Sequence, residues 1–188
     1  MRKKFNILDR FLSSWRFGKI KGYLSGGQSV CDLGCGDGKM LSALNSDIGF
    51  NHAVGVDAFA EFVADERVTY VRMDLRSLEL EENSFDRVLM LALIEHIKTE
   101  DAQKVLKQAY RILKPGGLLL LTTPTPLAKP VLEFMAYKLK VISRDEIEDH
   151  KYYYNIKELD KLLKTHKFKK IDAKHFQLFM NSFFVYEK

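Results

Sequence analysis

The chain has 188 residues, of which 46% are hydrophobic and 29% are charged. This length is typical of one domain and allows both faces of a sheet to be buried without disulfides or a structural metal. The sequence contains no run of roughly 18 continuous apolar residues, which a membrane-spanning helix requires. We therefore expect a single globular domain without a transmembrane segment.

The two cysteines, Cys31 and Cys35, form no disulfide or zinc pattern. Three residues separate them, and no other cysteine or suitably spaced histidine completes a zinc set. Residues 1–5 are basic but lead into polar residues instead of the apolar stretch of a secretory signal. The sequence therefore predicts reduced thiols, no metal cofactor and a cytoplasmic location.

The net charge of +5 is unevenly distributed along the chain. Residues 1–28 carry seven Lys/Arg against one acid, and residues 151–188 carry nine against four. Basic ends suit nucleic acid, an anionic membrane surface or an anionic substrate. Because these side chains are scattered along helix-like segments, solvated faces are the simpler interpretation.

Apolar periodicity predicts strands that alternate with helices, which indicates a parallel sheet. The chain then leaves this pattern at three prolines within residues 124–130, and a long excursion of this kind is more often functional than idle. The predicted elements are, in chain order, a helix over residues 11–24, a strand at 29–33, a helix from residue 39, strands at 53–57, 69–73 and 85–91, a helix over 100–113 stopped by Pro115-Gly116-Gly117, a strand at 118–123, an amphipathic stretch over 131–142, a helix over 156–165, and strands near 169–173 and 183–187.

The first strand runs into a glycine-rich turn, Asp32-Leu33-Gly34-Cys35-Gly36-Asp37-Gly38. Such a turn exposes backbone N–H groups, and its glycines let a ligand approach them closely. The spacing is D-x-G-x-G-x-G and not the G-x-G-x-x-G of dinucleotide sites, and a pyrophosphate would meet the carboxylates of Asp32 and Asp37. Those acids attract a ligand that carries an ammonium or sulfonium charge. The turn therefore favours a cationic ligand such as S-adenosylmethionine over a dinucleotide.

Two further aspartates follow the next strands. Asp57 lies 21 residues beyond Gly36 and suits a ribose diol, although a cap of a following helix is the alternative. Asp74, between Met73 and Leu75, suits an adenine amine with apolar groups on the ring faces, although an aspartate after a strand is commonly a turn residue.

Together these segments resemble the class I S-adenosylmethionine-dependent methyltransferases, and more narrowly the small-molecule group that includes the ubiquinone and menaquinone methyltransferases. The resemblance covers residues 28–123 and is carried by Val30–Gly38, Val54–Asp57, Met73–Leu75, Phe85–Val88 with Ile94-Glu95-His96, and Arg111–Gly117.

The resemblance implies S-adenosylmethionine as the methyl donor and S-adenosylhomocysteine as the product. It implies the following cofactor contacts: Asp32, Gly34 and Gly36 at the methionyl part, Asp57 with Ala58 at the ribose, Met73, Asp74 and Leu75 at the adenine, and Leu91 with Ala92 beside the methyl group.

The expected fold is a single-domain, three-layer α/β sandwich with helices on both faces of a mostly parallel, seven-stranded sheet whose last strand is antiparallel. Its expected segments are an N-terminal helical segment (1–27), a cofactor-binding core (28–123), a lid or acceptor insertion (124–155), and a C-terminal helix with strands (156–188). The amphipathic stretch within the insertion is interpreted as a lid, with a dimer contact or a membrane-surface helix as alternatives.

Methyl transfer from a sulfonium requires mainly alignment and a dry pocket, and a base is needed only when the acceptor must lose a proton. His96 is the candidate catalytic group for an acceptor hydroxyl, with a structural hydrogen bond as an equal alternative. For Glu95, the other catalytic candidate, anchoring of the loop is the stronger alternative. His150 and Tyr153 are candidates for acceptor binding, with ordinary packing as the alternative.

A small-molecule acceptor is the favoured partner. Enzymes of related folds that methylate base amines carry an Asn/Asp-Pro-Pro-aromatic run after the fourth strand, where this chain has Leu91-Ala-Leu-Ile-Glu-His96. Nucleic acid is therefore the less favoured partner. RNA-directed methylation and a non-catalytic protein that only binds S-adenosylmethionine remain the alternatives, and the oligomeric state has no sequence signal.

Overall fold

A computed structural model describes residues 15–139, 142 and 144–188. Residues 1–14, 140, 141 and 143 lie outside the described residues. They include the basic N-terminus, the predicted start of the first helix and part of the predicted amphipathic stretch. Among the described residues, no helix has the length and apolar character needed to cross a membrane.

The fold is built on one seven-stranded sheet. Its strands are β1 Ser29–Leu33, β2 His52–Asp57, β3 Thr69–Arg72, β4 Phe85–Leu91, β5 Leu113–Pro124, β6 Lys169–Phe176 and β7 Asn181–Glu187. They lie in the order β3-β2-β1-β4-β5-β7-β6. The neighbours from β3 to β5 pair in parallel, whereas β7 is antiparallel to both β5 and β6. This topology confirms the predicted fold class.

Helices cover both faces of the sheet. They are α1, of which residues 15–20 are described, α2 Lys39–Ile48, α3 Thr99–Ile112, α4 Ala128–Phe134, α5 Arg144–Glu148 and α6 Ile156–Thr165, with 3-10 turns at Lys21–Tyr23 and Ile94–His96 and a π-helical turn at Met135–Leu139.

Buried side chains form two apolar clusters, one on each face. Val88 of β4 belongs to the cluster that contains Leu106 of α3, whereas the next residue, Leu89, belongs to the cluster that contains Leu41 of α2. Successive strand residues point to opposite faces, so α2 and α3 pack on opposite sides of the sheet. The sheet is therefore the middle of three layers.

The strand order creates a crevice at the carboxyl edge of the sheet. From β1 the chain steps outward to β2 and β3, and then returns across the sheet to β4 on the other side of β1. In open α/β sheets a ligand binds beside the carboxyl ends of the two strands where the direction of winding reverses. The residues that follow β1 and β4 therefore line the expected binding crevice.

The structure corrects the predicted start of β5. We predicted Leu118, but Leu113 already pairs with Phe85, and the register shifts before Arg87 pairs with Leu118. Pro115-Gly116-Gly117 is therefore an irregularity inside the strand and not a loop before it. The helix α3 ends at Ile112 and leads directly into the sheet.

Boundaries of four other predicted elements differ from the prediction. The stretch predicted as one helix over residues 131–142 consists of α4, which starts earlier at Ala128, followed by the π-helical turn, and Lys140 lies outside the described residues. The third strand ends at Arg72 and not at Met73, and β6 and β7 are longer than predicted.

A capping box defines the start of α6, and its loss should destabilise the protein. The Asn155 side chain accepts a hydrogen bond from the Glu158 N–H, and the Glu158 carboxylate accepts one from the Asn155 N–H. We expect Asn155→Ala to lower the free energy of unfolding by about 1 kcal/mol, because the Glu158 N–H loses its acceptor. Urea denaturation measures the change. Asn155→Ser retains a capping oxygen, and an equal loss in that variant would contradict the role of the cap.

Candidate active site

The glycine-rich turn after β1 has one side open to a ligand. Gly34, Gly36 and Gly38 all adopt positive φ. A Cβ at Gly38 would lie 2.3 Å from the ring of Tyr70, and a Cβ at Gly34 would lie 2.5 Å from Leu93, whereas a Cβ at Gly36 would meet nothing within 4 Å. Packing against Leu93 and Tyr70 therefore requires glycine at positions 34 and 38. At Gly36 the backbone faces open space that a ligand can enter.

Asp32, at the carboxyl end of β1, has a buried oxygen without a hydrogen-bond partner among the described residues. The residue is 1% exposed, and the oxygen is Oδ2. Burial, together with the nearby charge of Asp57, raises the pKa of Asp32 to about 8. A buried polar atom without a partner costs about 1–3 kcal/mol. This oxygen therefore favours a ligand that brings a positive charge or an N–H donor.

Asp57, at the end of β2, is held against the same turn. Its Oδ2 accepts a hydrogen bond from the Gly36 N–H at 3.1 Å, and its Oδ1 accepts bonds from the N–H groups of Phe59 and Ala60. Residues 58–65, which include Ala58, contain no helix. The alternative that Asp57 caps a helix is therefore wrong, because the segment that it caps is an irregular turn.

Asp74 is paired within its own turn. The Arg76 guanidinium donates to it at 2.7 Å, the Arg76 N–H donates to it at 2.9 Å, and these bonds lower the pKa of Asp74. Met73 and Leu75 are partly buried against the apolar core. The contacts of Asp74 are those of the turn residue given as the alternative, and adenine binding at Asp74 stays a prediction.

The end of β4 carries backbone strain beside the turn. Leu91 is buried, and Ala92 adopts a φ of +52° while its N–H donates to both the carbonyl and Oγ1 of Thr122. Positive φ is unfavourable for residues other than glycine and often occurs at functional sites. Leu93 then packs against Gly34, so the segment after β4 lies directly over the glycine-rich turn.

Glu95 is buried and connects two segments that are distant in the sequence. Its Oε2 accepts a hydrogen bond from Thr123 Oγ1 at 3.0 Å, and its backbone carbonyl accepts bonds from the N–H groups of Lys151 and Tyr152. Burial raises the pKa of Glu95, although the charges of His96 and Arg16 and the bond from Thr123 partly oppose this effect. These contacts fix the loop after α5 against the 3-10 turn that follows β4.

The structure brings together His96, His150 and Tyr153. The His96 and His150 rings meet edge to face with centroids 4.7 Å apart, and His150 Nδ1 lies 2.8 Å from the Tyr153 hydroxyl. Burial, followed by the charge of His96, lowers the pKa of His150 to about 4. His150 is therefore a neutral imidazole at neutral pH. Asp149, which we did not predict, lies 3.1 Å from His96 Nδ1.

A cleft of about 640 Å³ opens beside this cluster. His150 and Tyr153 are among its lining residues, and acceptor binding by them stays a prediction. The cleft is also lined by Lys129, Glu133 and Tyr137 of α4 and the π-helical turn, which we did not predict as site residues. Their spacing of four residues places them on one helical face and is the signal that could have identified them.

Comparison with known proteins identifies the family. Residues 7–173 match the family described as "Methyltransferase domain". The chain belongs to this methyltransferase family. The family match and the sheet order confirm the predicted class I methyltransferase domain, with S-adenosylmethionine as the methyl donor of such domains. The narrower likeness to ubiquinone and menaquinone methyltransferases stays a prediction.

Similar proteins act on different acceptors. The chain is 33% identical over 117 residues to phosphoethanolamine N-methyltransferase 2 of Caenorhabditis elegans. This match covers 57% of the chain and 25% of that protein. It is 29% identical over 99 residues to the mouse protein named "Probable tRNA methyltransferase 9B", covering 50% of this chain and 21% of that protein. The chain thus spans about a quarter of the length of these methyltransferases.

A solved methyltransferase structure shares the fold. Phosphoethanolamine N-methyltransferase 2 of Haemonchus contortus, in complex with phosphomonomethylethanolamine and S-adenosylhomocysteine, superposes with a TM-score of 0.72 at 21% identity. The match covers 93% of this chain and 52% of that chain. At this identity the likeness shows the fold alone.

The raised pKa of Asp32 predicts a specific dependence of stability on pH. The unfolded chain ionises Asp32 near its ordinary pKa of 3.8, whereas the folded protein keeps it protonated up to about pH 8. The stability of the wild type relative to Asp32→Asn should therefore be highest below pH 4 and fall by roughly 1–5 kcal/mol up to pH 8. Urea denaturation across this range measures the difference between the two proteins.

The matched variant for this experiment is Asp74→Asn. Because Arg76 lowers the pKa of Asp74, the contribution of Asp74 to stability is present above its unfolded pKa and is lost only as the pH falls. The difference between wild type and Asp74→Asn should therefore not decline from pH 4 to pH 8. A difference for Asp32→Asn that stays constant over the same range would contradict a neutral, buried Asp32.

Proposed function

We propose that this methyltransferase transfers a methyl group from S-adenosylmethionine to a small-molecule acceptor in the cleft beside His150 and Tyr153. The observation that carries the cofactor part is the buried Asp32 Oδ2 without a partner, next to the open backbone at Gly36. A ligand with an ammonium group satisfies this oxygen while its chain lies along the turn. The described residues therefore fit the methionyl end of S-adenosylmethionine.

The proposed cofactor contacts follow the carboxyl edge of the sheet. When bound, S-adenosylmethionine supplies an electrophilic methyl group on a sulfonium. Asp32, Gly34 and Gly36 hold the methionyl part, and Leu91 with Ala92 borders it where β4 ends. Asp57, with Ala58 beside it, accepts from the ribose, since Asp57 is already positioned by the Gly36 N–H. The adenine lies against Met73 and Leu75, with Asp74 in the same turn.

Size and charge of the cleft support a small acceptor. A volume of about 640 Å³ lies within the range of small-ligand pockets. The charged lining residues are three acids, Glu133, Glu148 and Glu158, against two lysines, Lys129 and Lys151. A phosphodiester chain would require an excess of positive charge. This lining therefore favours a compact acceptor over RNA.

His96 is the proposed contact with the acceptor, and Glu95 is the group that positions it. Glu95 is buried and bonded to Thr123, whereas the ring of His96 is partly exposed and packs against His150, which lines the cleft. The Asp149 carboxylate accepts from His96 Nδ1, which leaves Nε2 as the nitrogen available to an acceptor. The buried Glu95 keeps the 3-10 turn and the loop after α5 in place around it.

RNA-directed methylation is the second candidate. The basic segments at both ends of the chain and the likeness to a protein named as a tRNA methyltransferase favour it. The two candidates differ in where the transferred methyl group is found.

A glycine pair tests the proposed cofactor site. Gly36 and Gly49 both adopt positive φ with open space where a Cβ would lie, but only Gly36 lies in the turn after β1. Each substitution to alanine should cost about 1 kcal/mol of folding stability through backbone strain. Calorimetry with S-adenosylhomocysteine should show at least a tenfold loss of affinity for Gly36→Ala and little change for Gly49→Ala. Equal affinities in the two variants would exclude the turn as the cofactor contact.

A labelling experiment tests the acceptor class. The purified protein is incubated with S-adenosylmethionine labelled in its methyl group and either a small-metabolite extract or total tRNA. We expect label in the metabolite fraction, and we expect His96→Ala to reduce this transfer at least tenfold while binding S-adenosylhomocysteine normally. Label in tRNA would support the RNA-directed alternative. Cofactor binding without transfer to either fraction would support a non-catalytic binding protein.

A further inference from the structure

The cluster next to the cleft has the composition and spacing of a metal-ligand set. Glu95, His96 and His150 each offer one ligand atom, and these three atoms lie within 4.8 Å of one another. Zinc–nitrogen bonds of about 2.0–2.1 Å in tetrahedral geometry place neighbouring ligand atoms about 3.3 Å apart. Side-chain rotations that move these atoms by about 1.5 Å or less therefore close the set around an ion.

Each of the three side chains is held from its other side. Asp149 Oδ2 lies 3.1 Å from His96 Nδ1, the Tyr153 hydroxyl lies 2.8 Å from His150 Nδ1, and Thr123 Oγ1 donates to Glu95 Oε2 at 3.0 Å. In metal sites a ligating histidine commonly donates its second ring N–H to a carboxylate or another oxygen, which fixes the tautomer and the orientation of the ring. In this protein, Asp149 and the Tyr153 hydroxyl occupy that position behind the rings of His96 and His150.

The protonation of the two rings follows from these partners. An ionised carboxylate can only accept, so Asp149 requires the proton of His96 on Nδ1 and leaves a lone pair on Nε2. The Tyr153 hydroxyl can accept from His150 Nδ1 in the same way. Both Nε2 atoms are then available as ligands, and the Glu95 carboxylate supplies an oxygen to the set. Thr123 Oγ1 donates to one oxygen of that carboxylate.

The backbone keeps the set assembled even though its members come from distant parts of the chain. The Glu95 carbonyl accepts from the Lys151 N–H at 2.6 Å and from the Tyr152 N–H at 3.2 Å. These bonds hold His150 next to the 3-10 turn that carries Glu95 and His96. A site that is organised before binding avoids the cost of ordering its ligands at that moment.

We propose that Glu95, His96 and His150 bind one divalent first-row transition-metal ion at the edge of the acceptor cleft. Two imidazoles and one carboxylate suit Zn²⁺, Co²⁺ or Fe²⁺, whereas Mg²⁺ prefers oxygen ligands. Three protein ligands leave coordination positions open for a donor atom of the acceptor, and the ion, acting there as a Lewis acid, then takes the place of the direct contact between His96 Nε2 and the acceptor. The link to the acceptor rests on the proposed function, but binding of the ion does not.

Metal titration of the full chain, without an affinity tag and after treatment with a chelator, tests the proposal. Calorimetry with Zn²⁺ should give one ion per chain, and Co²⁺ should produce visible absorption bands. His150→Ala and Glu95→Gln should each weaken binding at least tenfold, because one of three ligands is lost. Asp149→Asn should weaken it about tenfold by releasing the His96 ring, an effect expected of a group behind the ligand.

Two controls address other sources of binding. His175→Ala removes an exposed histidine of β6, and Cys35→Ser removes a thiol of the glycine-rich turn, and both should bind Zn²⁺ like the wild type. The proposal is overturned if the wild type shows no saturable binding, if His150→Ala binds normally, or if Cys35→Ser abolishes binding. Mg²⁺ binding tighter than Zn²⁺ would overturn the choice of ion.

Failure of this proposal is distinguishable from failure of the proposed function. Binding of S-adenosylhomocysteine by the wild type without any metal binding would reject the metal site alone. Metal binding without cofactor binding would reject the proposed function alone. His150→Ala should retain cofactor affinity, which also shows that this variant is folded.

Discussion

The burial of the Asp32 carboxyl group at the carboxyl end of β1 is the constraint on which the site depends. β1 is flanked on both sides, by β2 and by β4, so a side chain at its end is enclosed by neighbouring strands and the segments that follow them. Asp57 lies close enough to raise the pKa of Asp32 further. A buried oxygen without a hydrogen-bond partner lowers the folding stability of the ligand-free protein. A cationic ligand that bonds to this oxygen removes that penalty. In the proposed cofactor site, the folded protein is therefore less stable without its ligand than it would be with this oxygen bonded.

The segment after β4 connects the proposed cofactor half of the site to the proposed acceptor half. Leu93 packs on Gly34 of the turn, and two residues later Glu95 bonds to β5 through Thr123 and to the loop after α5 through its carbonyl. One short 3-10 turn therefore contacts the glycine-rich turn, the sheet and the edge of the cleft. Its position depends on the strained Ala92, whose N–H is held by Thr122. A shift of this turn would change both halves together.

Local patterns predicted much of the fold and part of the site. The positions of β1 to β4 and the turn after β1 followed from apolar periodicity and glycine spacing, which depend on neighbours in the sequence. The start of β5 was predicted wrongly because Pro115-Gly116-Gly117 is typical of a loop, and only pairing with β4 places it inside a strand. Lys129, Glu133 and Asp149 were missed because a charged side chain in a helix or loop is usually solvated.

The sequence by itself determined the alternation of strands and helices, the glycine-rich turn with Asp32, and the family to which the chain belongs. These features depend on the local conformation of the backbone and on the order of short motifs. Only the tertiary structure decided that Asp32 Oδ2 is buried without a partner in the described part of the chain, and that His96 meets His150, which lies 54 residues further along the sequence. Burial and long-range contact arise from strand pairing and from the hydrogen bonds of Glu95, and no local pattern encodes them.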